Sequence, residues 1–136
     1  MNTKKNTVPA LLFVVTILVT GSCKKGYEPQ LPPVTRQIQF ELFTSHDFSK
    51  ENDSISFTVF IAHQGNQPVW DSALAPMTLK DIPHLPQKWV VQKTLTGDTA
   101  VLKAGFRYEI KNVGHAGISD TLSAATHFKI ISFDFN

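Results

Sequence analysis

The sequence predicts an all-β domain, an antiparallel two-layer β-sandwich of about seven strands, between residues 34 and 136. Three observations point there. Apolar and polar residues alternate at period two in several segments, the spacing of strands with one face inward. Clusters of Gly, Pro, Asn, Asp and Ser separate those segments. Beyond the first residues no apolar stripe of period 3.6 with capping signals is sustained, so no helix is expected in the domain.

The chain opens with Lys4 and Lys5, an apolar run from Val8 to Val19 broken only by Pro9 and Thr16, and then the small residues Thr20, Gly21 and Ser22. These are the three parts of a secretion signal. The run is well short of the roughly 20 apolar residues that a permanent membrane-spanning helix needs. Cys23, the single cysteine, follows at once and is itself followed by Lys24 and Lys25. One cysteine cannot build a disulfide framework.

Thr20-Gly21-Ser22-Cys23 resembles the lipobox of bacterial lipoproteins, with Thr20 standing where that family usually carries Leu, Val or Ile. The resemblance covers the leader alone. It implies cleavage before Cys23 by signal peptidase II, acylation of its sulfur and then its amine (a palmitate-type anchor), and a place in the gram-negative cell envelope. An outer-membrane location follows, on the periplasmic side or the cell surface, and an ordinary secretory cut is the alternative. Each buried methylene of an acyl chain contributes about 0.8 kcal/mol, so several chains on one residue would hold the protein on a membrane without help from the domain.

Removing residues 1–22 takes out Lys4 and Lys5 and leaves 11 Lys and Arg against 11 Asp and Glu, with no net formal charge. That balance lacks the basic surplus of a nucleic-acid binder. Residues 23–33 hold the lipidated cysteine and GYEPQLPP, whose three prolines suit an extended tether. Residues 34–136 then suffice for a single core.

The first two strands are marked by Ile38, Phe40 and Leu42 against Gln37, Gln39 and Glu41, and by Ile55, Phe57, Val59 and Ile61 against Ser54, Ser56 and Thr58. The polar link SHDFSKENDS predicts a long-looped hairpin between them. Gln64-Gly65-Asn66-Gln67-Pro68 turns the chain into a short strand over 69–74. Pro76, Pro83 and Pro86 keep the next passage out of any sheet centre. Trp89, Val91 and Leu95 then face Leu102, Ala104, Phe106, Tyr108 and Ile110 across Thr96-Gly97-Asp98-Thr99, the strongest hairpin signal present. In the last segment Phe128 and Ile130 run in one phase and Ile131, Phe133 and Phe135 in the other, which predicts a bulge near Ile130-Ile131.

An immunoglobulin-like or transthyretin-like order suits such a strand set, without the cysteine pair of antibody domains, and Trp70 or Trp89 is a candidate core tryptophan. A small β-barrel is the alternative. Ile38, Phe40, Ile55, Phe57, Val59, Phe106 and Tyr108 are expected to face one core.

Chemistry is sparse. His46, His63, His84, His115 and His127 lie 12 to 31 residues apart, so none has the close partner that metal ligation on one strand or helix uses. His115, Ser119 and Asp120 sit close in sequence but lack the elbow that exposes a nucleophilic serine, and read as loop material. Asp47 to Asp53 is the densest run of oxygen ligands, yet it contains Lys50 and no calcium-loop spacing. No cofactor, metal or catalytic residue is assigned.

Phe43 and Phe60 fall out of phase with the apolar positions around them and form a candidate interaction patch on the outer face. The expectation is a non-catalytic, lipid-anchored envelope module that binds a protein or a glycan. The alternative is an enzyme or metal-dependent accessory subunit whose site is assembled from separated loops. Mass spectrometry of the native N-terminus should find Cys23 acylated and residues 1–22 gone. A Cys23→Ala protein that stays with the membranes on fractionation would refute the anchor.

Overall fold

The computed structural model describes residues 31–136. Cys23, the leader and most of the tether lie outside them. The strands are β1 (Thr35–Phe43), β2 (Ser54–His63), β3 (Pro68–Ala73), β4 (Met77–Thr78), β5 (Trp89–Thr96), β6 (Leu102–Ile110), β7 (Gly114–Leu122) and β8 (Phe128–Asp134). One sheet has the order β5-β1-β8 and the other β3-β2-β6-β7, with β4 also paired to β2. The result is a two-layer all-β sandwich that does not close into a barrel.

Pairing is antiparallel except that β1 and β8 run parallel. The expected hairpin of β1 with β2 does not form. Residues 44–53 instead carry the chain from one sheet to the other, and the link between β5 and β6 does the same. An arch sets two apolar faces opposite each other, so each covers its neighbour; a hairpin would lay them side by side and leave both uncovered. Gly97 (φ +80°) takes the left-handed turn of the β5–β6 arch, and its N–H donates to the Val34 carbonyl. The hairpins that do form are β2–β3, turned by Gly65 and Asn66 at positive φ, and β6–β7, turned by Asn112 at φ 65°.

All the residues expected to face one core do so, with Tyr108 at its partly buried margin. Trp70 and Trp89 are likewise partly buried against it. Its centre is aromatic: Phe40 meets Phe106 edge-on at 5.8 Å, Phe57 meets Phe135 edge-on at 5.7 Å, and Phe133 lies 5.5 Å from Phe106. Edge-to-face pairs place the positive ring edge on a negative face, adding about 0.5–1.5 kcal/mol to burial.

β8 has no bulge. Its register with β1 is unbroken from Gln37↔Phe128 to Phe43↔Asp134, so Ile131 and Phe133 enter the core while Phe128 and Ile130 stay on the outer face, 52% and 44% exposed. β7 is a strand where turn-like residues were expected, because its backbone pairs with β6 along its whole length while eight of its nine residues are exposed.

Arg36 shares the inward phase of Ile38 and Phe40 and is completely buried. Its Nε donates to the Thr126 carbonyl at 3.0 Å, Nη1 to Ala100 at 2.7 Å and Nη2 to Ser123 at 2.9 Å. These carbonyls belong to the two arches at this end of the sandwich, β5–β6 and β7–β8. Hydrogen bonds to a charged group contribute about 1.5–3 kcal/mol each. Arg36→Met keeps the length and loses every donor, so it should lower the unfolding free energy by about 3 kcal/mol or more in denaturant titration. A loss below about 1 kcal/mol would show that the arches hold without it.

Candidate functional site

The two outer faces of the sandwich are chemically opposite. On the three-stranded sheet, register places Gln37, Gln39 and Glu41 of β1 between Thr94, Gln92 and Val90 of β5 and Phe128, Ile130 and Ser132 of β8. Polar side chains there satisfy one another. Gln37 donates to Gln92 at 2.9 Å, Gln92 to Gln39 at 2.6 Å, and Gln39 to Glu41 at 2.7 Å. Lys88 Nζ sits 2.8 Å from Glu41 Oε1, and Ser132 donates to Oε2 at 3.0 Å. The Lys88 hydrogen bond, opposed by burial and helped by Gln39 and Ser132, holds the Glu41 carboxyl below its usual range.

On the five-stranded sheet the outward residues include Ser54, Ser56, Thr58 and Phe60 of β2, Asp71 of β3, Lys103, Arg107, Glu109 and Lys111 of β6 or its end, and His115, Gly117 and Ser119 of β7. Three shallow depressions run along this face. One of about 230 Å³ includes Ser54, Ser56, Glu109 and Lys111; one of about 430 Å³ includes Ser56, Thr58, Arg107, Glu109 and His115; one of about 350 Å³ includes Phe60, Lys103, Arg107 and Ser119. Each shares residues with the next, so they form one groove that follows β6 for about 27 Å at the strand rise.

Close backbone contact shapes the groove. A Cβ on Gly105 would lie 2.0 Å from the Ile118 carbonyl oxygen, and one on Gly117 would lie 2.6 Å from that of Phe106. Only glycine fits such an approach of β6 to β7, and at Gly117 no side chain rises beside Arg107. Among the described residues, the ion pairs and side-chain hydrogen bonds engage none of Ser56, Thr58, Lys103, Arg107, Glu109, Lys111 or His115. The charges of this face thus lack ion pairs among the described residues, whereas Glu41 and Lys88 on the opposite face bind each other.

Phe43 and Phe60 are not brought together. Their strands belong to different sheets: Phe43 lies half-buried on the outer face of the three-stranded sheet, and Phe60 on that of the five-stranded sheet. Phe60 does point outward, but the Arg107 guanidinium lies 4.1 Å from its ring centre and leaves it 7% exposed. The shared patch does not exist. The groove residues carried no distinctive sequence signal, because serine, threonine and charged residues occupy the outward positions of most half-buried strands.

The remaining candidates are also dispersed. His115 and Ser119 are four residues apart on one extended strand, about 13 Å, too far for proton transfer between them. Asp120 points to the other side and pairs with Lys129 at 2.6 Å. His63 lies 3.8 Å from Asp98, His46 packs on Phe48 at 4.7 Å, and His127 Nδ1 lies 3.4 Å from the Thr35 carbonyl. In the 44–53 arch, Asp47 accepts from the Ser49 N–H at 3.0 Å, which holds its carboxyl below the usual range, and Asn52 accepts from Lys80 at 2.9 Å. Those oxygens shape the turn. Among the described residues no group of three His, Cys, Asp or Glu converges to hold a metal.

Comparison with known proteins finds no matching family, no matching curated protein and no matching solved structure.

Glu41 supplies a pH test of the closed face. Its folded-state pKa lies below the unfolded one, so its stabilisation is complete above an unfolded value of about 4.3 and is lost as pH falls through the lowered folded value. Glu41→Gln should therefore melt below the parent at pH 7, and the gap should close as pH falls through the lowered folded value. A gap that persists unchanged in acid would mean that packing, and not charge, is what the substitution removes.

Proposed function

We propose that this protein is a non-catalytic binding module of the cell envelope, anchored through acyl chains on Cys23, that takes its ligand in the groove across the five-stranded sheet. The carrying observation is the contrast between the outer faces. One closes its polar groups on themselves, while on the other, among the described residues, Ser56, Thr58, Glu109 and His115 make no side-chain hydrogen bond or ion pair around a depression of about 430 Å³, and Arg107 is held only by its stacking on Phe60. Solvated polar groups lose little on binding if a ligand replaces their water hydrogen bonds, and shallow wet surfaces serve recognition well.

Anchoring and binding divide the molecule sensibly. Acyl chains account for the membrane affinity, so the domain surface is free for a protein or glycan partner. A photo-crosslinking residue at Thr58 should form adducts in intact cells, while the same residue at Gln92, on the closed face, should form none. Equal adduct yields from both positions would remove the groove as the binding site.

A further inference from the structure

The charge along β6 narrows the ligand class. Outward positions of this strand and its end carry Lys103, Arg107 and Lys111, with Glu109 as the one acid among them. Successive cations are four residues apart, about 13 Å along the strand. No carboxylate among the described residues lies within ion-pair distance of the three cations. In a mature chain of zero formal charge this is a local cationic row along β6, with Asp71 of β3 on the far side of Phe60.

Arg107 is oriented as well as charged. Stacking on Phe60, 4.1 Å from the ring centre, restrains the guanidinium plane. A planar fork held this way binds carboxylate or phosphate oxygens with less ordering cost than a free lysine does. The same stacking covers the ring, so Phe60 is not offered as a platform for an apolar or neutral sugar face.

A peptide is a poor occupant. Both backbone edges of β6 are already paired, to β2 on one side and β7 on the other, so a strand laid across this face gains no main-chain hydrogen bonds. Those bonds are the usual source of affinity when a sheet captures an extended peptide. Hydroxyls at Ser56 and Thr58 instead match a hydroxyl-rich chain, and the groove length suits several sugar units.

We infer that the groove binds a linear anionic glycan in which acidic sugars alternate with neutral ones. This deepens the reading above and rests on it. Glu109, placed between Arg107 and Lys111, repels a chain that is charged at every unit, while Arg107 and the flanking lysines attract charges spaced further apart.

The full-length protein in detergent should bind hyaluronan, a chain of alternating acidic and neutral sugars, more tightly than polygalacturonate, which is acidic at every unit, and should not retain neutral dextran. Binding should weaken with added salt, because exposed pairs are screened. The double variant Lys103→Gln/Lys111→Gln, checked by its melting curve, should lose about 3- to 10-fold in hyaluronan affinity. Glu109→Gln should improve polygalacturonate binding, a gain that a merely structural role would not produce. Dextran bound as well as hyaluronan, or hyaluronan affinity indifferent to salt and to the lysine changes, overturns the anionic assignment. If Thr58 crosslinks in cells while no acidic glycan binds, the groove stands and its ligand class falls; if Thr58 also fails to crosslink, the binding reading falls with it.

Discussion

The sandwich depends on a cation buried where a hydrophobic residue would ordinarily sit. Arg36 continues the inward row of β1, yet its guanidinium reaches three backbone carbonyls at the end of the core. No carboxylate among the described residues lies within ion-pair distance of it, so the loss of hydration is offset entirely by carbonyl dipoles. Carbonyls in turns have no strand partners, and Arg36 supplies a donor to three of them, the Ser123 carbonyl also accepting from the Thr126 N–H. One planar group thus satisfies two arches, and each arch carries the chain between sheets.

The opposite end of β1 is fixed in a similar way with neutral groups. Thr44 is buried, donates from Oγ1 to the Phe135 carbonyl at 2.6 Å, and its N–H donates to Pro83 at 2.9 Å. Ser45 holds the Asp134 carboxylate through both N–H and hydroxyl, at 2.8 and 2.7 Å. With both ends secured, β1 remains central between β5 and β8. Its outward glutamines and Glu41 are therefore flanked on both sides, which explains why that face closes into a network.

The five-stranded sheet has the opposite character because it is wider than the layer that covers it. β7 lies at its edge, largely exposed on both faces, and meets the other sheet only through contacts such as Lys129 with Asp120. Gly105 and Gly117 bring its backbone against β6. What results is an uncrowded polar face on backbone that is paired from β3 to β7.

Local pattern carried much of the fold. Alternation in β1, β2 and β6 marked the core correctly, from Ile38 to Phe106, because a half-buried strand must separate apolar from polar side chains by one residue. The outward phase of Phe60 was equally legible. The expected bulge in β8 was not found, since two apolar phases can also mean that one of them, Phe128 and Ile130, faces solvent on a sheet. β7 went unmarked because its strand state comes from pairing with β6 and not from burial.

The sequence by itself determined the β class, the inward apolar residues of β1, β2 and β6, the turns at 64–68 and 96–99 and the leader's resemblance to a lipoprotein signal, all of which depend on neighbours within a few residues. Only the tertiary structure decided that Gly97 and the 44–53 segment make arches instead of hairpins, that Arg36 is a clamp, that Phe43 and Phe60 lie on different sheets, and that Lys103, Arg107 and Lys111 border an open groove. A turn residue fixes a local dihedral angle but not the sheet to which the next strand belongs. That choice is made by which pairing covers the most apolar surface, a property of the whole chain.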